Sequence, residues 1–271
     1  MKSAQPQPLD VDRLRRALVG PGGPWRCLDV VEVTGSTNAD LLARAAAGED
    51  IDGAVLLAES QTAGRGRHGR SWSTPPRSQI ALSVGVGVGA MPNEAWGWLP
   101  LLAGVAVVDA LGEITGVTAG LKWPNDVFAG TGKLAGILAE VAAPEPVVVV
   151  GLGLNVTMTA EEAPDPVATS LSMLAPDTTD RTVLAEAVLR QLARRIGSWR
   201  TAAGADATLA ADYRSHSVTI GNRVRASLPG DRAVEGVAAD VDELGRLRID
   251  TGAEALTVSA GDITHLRSVN P

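Results

Sequence analysis

Two apolar runs of strand length, Leu134–Val141 and Val147–Leu154, stand side by side in the chain, with Pro144 and Pro146 between them. Neither run is long enough for a typical buried helix, and both are rich in Val, Leu, Ile and Gly. Prolines cannot donate to a ladder, so they mark the connection. The pair is expected to form a hairpin in a mixed sheet. Further strand signals precede it at Leu28–Val33, Gly53–Glu59 and Gln79–Val88. Helical signals are interleaved among these strands. Asp10 can cap a short helix carrying Leu14, Leu18 and Val19, stopped by the Pro21–Pro24 run. Ser36 or Thr37 can cap a second helix with Leu41, Leu42 and Ala45 inward. Pro92–Leu111 reads as one long buried helix. Asp180–Thr201 reads as another, with Val183, Leu184, Ala187, Val188, Leu192 and Ile196 at helical spacing.

After Tyr213 the pattern becomes short strands: Ser217–Leu228, Ala233–Val241, Leu244–Asp250 and Ala255–Val258. Turn signals separate them, among them Pro229-Gly230-Asp231. This predicts a small antiparallel barrel. Pro164–Thr179 is rich in proline and threonine and reads as a surface excursion. The expected organisation is a tail and short helix over 1–27, a main α+β domain over 28–215, a small barrel over 216–267 and a tail over 268–271.

The chain of 271 residues has a formal charge of -7. Such acidity disfavours bulk polyanion binding, which depends on Lys and Arg contacts to phosphate. Any anion site must be local. A single cysteine, Cys27, cannot form an internal disulfide, which fits a reducing compartment. The N-terminus lacks an apolar signal region. The longest apolar stretch, Leu99–Leu111, falls short of the ~20 residues that span a bilayer and contains Asp109. The expectation is a cytoplasmic protein with no membrane partner.

Gln61–Arg70 (QTAGRGRHGR) carries the strongest local signal. Gly64, Gly66 and Gly69 satisfy GxGxxG, but Ser71-Trp72-Ser73-Thr74-Pro75-Pro76 follows where a dinucleotide fold needs a helix. Two readings remain: a solvated basic loop, or a loop that grips an anion with backbone N–H groups and forked Arg donors. Lys122-Trp123-Pro124-Asn125-Asp126 combines an extended X-Pro step with a turn-forming pair. It is either an ordinary turn with an ion pair or a turn presenting Lys122 and Asp126 to one pocket. Gly132–Leu138 is not a Walker loop, since Val127 and Leu134 occupy positions that need Gly and Ser/Thr. Lys133 opens an apolar strand there; it either snorkels to water or pairs with an anion. Gly151–Val156 ends an apolar strand on Asn155. The three histidines, His68, His216 and His265, show no metal-ligand spacing, and no metal site held by protein ligands is expected. No GxSxG elbow is present.

Taken in order, Ser36-Thr37-Asn38, Gln61–Arg70, Lys122–Asp126, Gly132–Leu138 and Gly151–Val156 resemble the biotin–protein ligases. The resemblance covers about residues 28–210, and the small C-terminal strand domain also fits it. It implies an α+β fold: a mixed-sheet catalytic domain of the biotin/lipoate protein ligase type with a C-terminal SH3-like β-barrel. It implies an ATP-dependent ligase that forms biotinyl-5'-AMP and passes biotin to one lysine of a biotin carboxyl carrier domain, as in acetyl-CoA carboxylase. Ser36, Thr37, Asn38, Gln61, Gly64, Arg65, Gly66, Arg67 and Lys133 would surround biotin. Arg67, Arg70, Trp72, Lys122, Asn125, Asp126, Lys133 and Asn155 would surround ATP and the adenylate. Lys133, Arg67 and Asp126 would carry the chemistry. Mg²⁺ would arrive with ATP. Too little chain precedes residue 25 for the helix-turn-helix domain that some members carry, so no specific DNA partner is expected. The expected assembly is a monomer or weak homodimer. A lipoate or octanoyl ligase or transferase is the alternative within the same fold.

Overall fold

The structure is a computed structural model that describes residues 6–144, 146–228, 232–259 and 262–265. The turn expected at 229–231, the extreme N-terminus and the tail at 268–271 lie outside the described residues. Five helices and twelve strands are present among the described residues. Helix α1 spans Val11–Leu18 and is capped by Asp10, whose side chain accepts from the Arg13 amide. Strand β1 (Cys27–Thr34) runs into α2 (Thr37–Ala46), capped by Ser36. Strands β2 (Ala54–Gln61) and β3 (Gln79–Gly87) flank the Gly/Arg loop. Helix α3 covers Leu99–Thr115; β4 (Gly120–Lys122), β5 (Asp126–Ala129), β6 (Gly132–Val141) and β7 (Val147–Asn155) follow. Helix α4 (Arg181–Thr201) is capped by Asp180, and α5 (Ala207–His216) precedes β8–β12.

The first seven strands form one sheet in the order β1-β2-β3-β7-β6-β5-β4. β1 and β2 are parallel and every other neighbour pair is antiparallel, so the sheet is mixed. The expected β6–β7 hairpin lies inside it. Strand β3 is buried along nearly its whole length rather than on alternate residues. It sits between layers, with α2 packed on one face and α4 on the other. Leu41 and Ala45 of α2 meet Leu56, Val147 and Val149 in a small core. Helices α1, α3 and α4 cover the opposite face in the main core.

The helix expected at Pro92–Leu111 is two elements. Asn93–Trp98 winds as a 3-10 turn, and α3 starts at Leu99 with Pro100 in its first turn. A proline lacks the N–H that an interior helix position must donate, but the first turn needs no such donor. Segment 93–115 is long and apolar enough to cross a membrane by length and composition. Most of it is instead buried in this fold, where α3 packs on α4, α5 and the sheet.

The 164–179 excursion is not merely superficial. The Lys133 amide donates to Val167 O at 2.6 Å, the Thr169 amide returns a bond to Lys133 O at 2.9 Å, and Ser170 and Leu171 are fully buried. The short strands β4 and β5 and helix α5 go beyond the sequence reading. At the C-terminus, β8 (Arg223–Leu228), β9 (Arg232–Val241), β10 (Leu247–Asp250), β11 (Ala255–Val258) and β12 (Asp262–His265) form one antiparallel sheet, ordered β11-β10-β9-β8-β12. Ser217–Asn222, expected as strand, is a turn leading from α5. The end strands β11 and β12 are not paired with each other among the described residues, so this is an antiparallel sheet domain without observed closure. Its apolar residues, among them Val224, Val241 and Ile249, join the same core as α3. Two indoles fasten it: Trp123 Nε1 donates to Gly245 O at 3.0 Å and Trp98 Nε1 to Glu243 O at 2.9 Å.

Candidate active site

Along β7 alternate side chains face α2, because a strand has a two-residue period. Val147 and Val149 fill that face beneath α2, and the next two positions are Gly151 and Gly153. The change from valine to glycine ends the packing and opens a cavity of about 410 Å³. Gly136 of β6, the register partner of Gly153, widens it. Added methyl groups show what uses this space. One on Gly151 would lie 2.1 Å from Asn38 Oδ1, and one on Gly153 would lie 2.5 Å from the Trp72 ring. The GLGLN run therefore matters for its glycines, an established signature of close approach in strands.

One end of the cavity is a buried polar network. The Thr37 amide donates to Gln61 Oε1 at 2.9 Å. Ser83 Oγ lies 2.7 Å from Thr37 Oγ1 and 2.6 Å from Asn38 Oδ1. Asn38 Nδ2 donates to Leu138 O at 3.1 Å and to Glu140 Oε2 at 2.9 Å. Ser36, Thr37, Asn38 and Ser83 are all buried. Ser83 and Glu140 belong to none of the sequence motifs. Ser83 is a hydroxyl within an apolar strand, a visible signal. Glu140 lies just beyond the Gly132–Leu138 motif, so only the fold reveals its partner.

The other end is cationic. Arg65, Arg67, Arg70, Lys122 and Lys133 line the cavity, and Asp126 is the one carboxylate in its described wall. Lys133 Nζ sits 2.7 Å from Asp126 Oδ1 and 5.6 Å from the Trp72 ring centre. Lys133 thus both pairs and keeps contact with water; its side chain is 32% exposed. Lys122 Nζ lies 5.2 Å over the Phe128 ring. The Trp123–Pro124 bond is cis. Asn125 hydrogen-bonds β6 through both backbone and side chain: Ile137 N donates to Asn125 O, and Asn125 Nδ2 to Ile137 O, each at 2.9 Å. Arg67 Nη1 donates to Asn125 Oδ1 at 3.3 Å.

The Gly/Arg loop folds back on itself. The Gly66 amide donates to Arg70 O at 2.7 Å and the Trp72 amide to Gly64 O at 2.8 Å. His68 and Gly69 adopt positive φ at its tip. Trp72 closes the loop by laying its ring over Gly136 and Gly153 and donating from Nε1 to Gln79 Oε1 at 2.6 Å. Ser227 and Ile263 of the C-terminal sheet complete the wall.

Two expected site residues stand outside the cavity wall. Gly64 packs against Trp72 O and the Gln61 side chain, where a methyl group would lie 2.3 Å and 3.1 Å away. It shapes the loop rather than facing the space. Asn155 ends β7 opposite Gln79, and its Nδ2 donates to Thr169 O at 2.9 Å. Its Oδ1 is buried without a hydrogen-bond partner. Among the described residues no cluster of three or more His, Cys, Asp or Glu side chains is placed to hold a metal. The one carboxylate of the described wall, Asp126, already pairs with Lys133.

The biotin/lipoate A/B protein ligase family model matches residues 30–156, and the biotin protein ligase C-terminal domain model matches 219–266. A biotin–[acetyl-CoA-carboxylase] ligase of Mycobacterium tuberculosis is 58% identical over 96% of this chain and 97% of its own length. The bifunctional ligase/repressor BirA of Escherichia coli is 29% identical over 97% of this chain and 80% of its length. The biotin protein ligase of Aquifex aeolicus, solved in complex with biotin and ATP, superposes with a TM-score of 0.75 at 26% identity, covering 90% of this chain and all of that one. With the loop, the Lys–Asp turn and the glycine-lined cavity each in place, the chain belongs to the biotin/lipoate A/B protein ligase family.

Proposed function

We propose that this chain is a biotin–protein ligase that activates biotin with ATP as biotinyl-5'-AMP and transfers it to a lysine of a biotin carboxyl carrier domain of an acyl-CoA carboxylase. The observation that carries this is the two-ended cavity, polar and buried at Ser36–Asn38, cationic at Lys133 and Arg67. A ureido ring has matched donors and acceptors and suits the first end, where hydroxyls and amides are already ordered. A carboxylate and an α-phosphate must meet at the second end.

In the first step a carboxylate oxygen bonds to the α-phosphorus and the bond to the β-phosphate oxygen breaks, releasing pyrophosphate. Two anions approach each other, and Lys133, Arg67 and Arg70 offset their repulsion with charge fixed before reaction. In the second step the acceptor amine attacks the acyl carbon, AMP leaves, and the amine proton goes to a base. Asp126, at the junction of turn and cavity, is the carboxylate positioned to receive it once Lys133 turns to the adenylate. Trp72 offers an aromatic face for adenine, while Asn155, buried outside the cavity wall, supports the end of β7 beside it through Thr169 O. Mg²⁺ arriving with ATP would supply further charge neutralisation, and Asp126 is the cavity carboxylate that could help hold it.

The decisive test is biotin transfer to a purified carrier domain with and without ATP. ATP-dependent labelling is expected; no labelling overturns the proposal. ATP–pyrophosphate exchange with lipoate in place of biotin tests the lipoate-ligase alternative. The polar end favours biotin, since lipoate has no ureido group to satisfy it. We also place the protein in the cytoplasm as a monomer or weak homodimer without operator binding. Sedimentation with biotin and ATP tests the assembly, and a promoter footprint tests the last point.

A further inference from the structure

Glu140 belongs to no motif of the family resemblance, yet its side chain joins two parts of the cavity. Oε2 accepts from Asn38 Nδ2 at 2.9 Å, at the polar end. Oε1 forms an ion pair with Arg65 of the Gly/Arg loop. Asn38 is itself fully committed: Nδ2 also reaches Leu138 O, and Oδ1 faces Ser83 Oγ. Asn38 Oδ1 can only accept, so the single Ser83 hydroxyl proton points at it. The carboxylate thus ends a chain of contacts running Thr37, Ser83, Asn38, Glu140, Arg65.

We propose that Glu140 is a positioning residue that latches the Gly/Arg loop to the ureido-binding end, so that order at one is felt at the other. This rests on the biotin ligase reading above. An ion pair between half-exposed groups is ordinarily weak, since ordering two long side chains offsets the attraction. Here the Glu140 carboxylate is 21% exposed and already oriented by Asn38, so only Arg65, 45% exposed, must be ordered. The ordering cost of this pair is therefore smaller than for two free side chains. Gly151, below Asn38, leaves room for that amide, since an added methyl group would lie 2.1 Å from its Oδ1.

Glu140→Gln and Glu140→Ala separate the two contacts. Glutamine keeps an acceptor for Asn38 and loses the charge facing Arg65. Alanine loses both. For Glu140→Gln, biotin KM is expected to stay near the parent value. Tryptic cleavage at Arg65, Arg67 and Arg70 should quicken, and adenylate should escape severalfold faster into solution. For Glu140→Ala, biotin KM should also rise about tenfold, as expected when a hydrogen bond to a charged group is lost, while kcat for pyrophosphate exchange changes little. In an Arg65→Gln background, Glu140→Gln should add no further loop cleavage. Parent-like cleavage and adenylate retention in Glu140→Gln would overturn the proposal, as would a fall in kcat at unchanged KM in Glu140→Ala. If Glu140→Ala does not fold, the near-isosteric glutamine variant decides alone. If the parent shows no exchange with biotin, the function reading fails, while the cleavage rates still decide the latch.

Discussion

Lys133 Nζ and Asp126 Oδ1 meet at 2.7 Å across the β5–β6 ladder, where the register shifts between Val127 and Phe128. The pair holds a cation at the cavity wall without burying it deeply. Lys133→Ala should lower the rate of adenylate formation about a hundredfold or more, by analogy with loss of one oxyanion-hole donor. The melting temperature should change little, because the side chain is partly solvated. Single-turnover adenylation measured beside thermal denaturation checks both.

The glycines of β7 give a steric prediction. Gly151→Ala drives a methyl group into the Asn38 side chain, which is held between Ser83 of β3 and Leu138 of β6. Overpacking of this kind costs about 1–3 kcal/mol. Biotin affinity measured by calorimetry should fall at least tenfold. Unchanged affinity would show that Asn38 does not shape the biotin end.

The buried ion pair Arg181–Glu59 sits behind the site, at 2.7 Å with both side chains 4% exposed. It also ties Gln79 O and Gln7 O through the guanidinium, and Leu9 N donates to Glu59 Oε1. Removing one partner leaves an uncompensated buried charge, so Arg181→Ala should destabilise by about 3–5 kcal/mol. Replacing both together, Arg181→Met with Glu59→Leu, should cost less than the single change. Urea denaturation of the three proteins checks the order.

The join to the C-terminal sheet should be acid-sensitive. Burial works to raise the Asp242 carboxyl, but hydrogen bonds from the Arg246 side chain and from the Arg246 and Leu244 amides outweigh it and hold the group below the ordinary carboxylate value. A lowered folded value means the carboxylate stabilises the fold fully above the unfolded value, and that this is lost as pH falls through the folded one. Asp242 shapes the turn whose Glu243 and Gly245 carbonyls receive the Trp98 and Trp123 indoles. The melting temperature should therefore drop below about pH 4, and Asp242→Asn should flatten that drop. A pH series of melting curves is the measurement.

Much of this was legible in the chain. Strands β1, β2, β3, β6 and β7 announce themselves as apolar runs, and the Asp10, Ser36 and Asp180 caps stand where side-chain oxygens can satisfy free helix amides. Lys133, Arg67 and Asp126, drawn from three separate motifs, line one cavity with Trp72. Strands β4 and β5 were hidden because three or four residues carry no period, and α5 because its polar composition gives little apolar stripe.

Sequence alone determined local matters: which long apolar runs are strands, where the side-chain-capped helices start, and which motifs carry charge. Those follow from near-neighbour sterics, side-chain period and capping chemistry. Tertiary structure decided what depends on distant strands sharing a face. Gly151 became room for Asn38, 113 positions earlier, only because β7 passes beneath the start of α2. Glu140 and Ser83 gained roles for the same reason. A period-two strand fixes which side chains share a face, but only packing decides what they meet there.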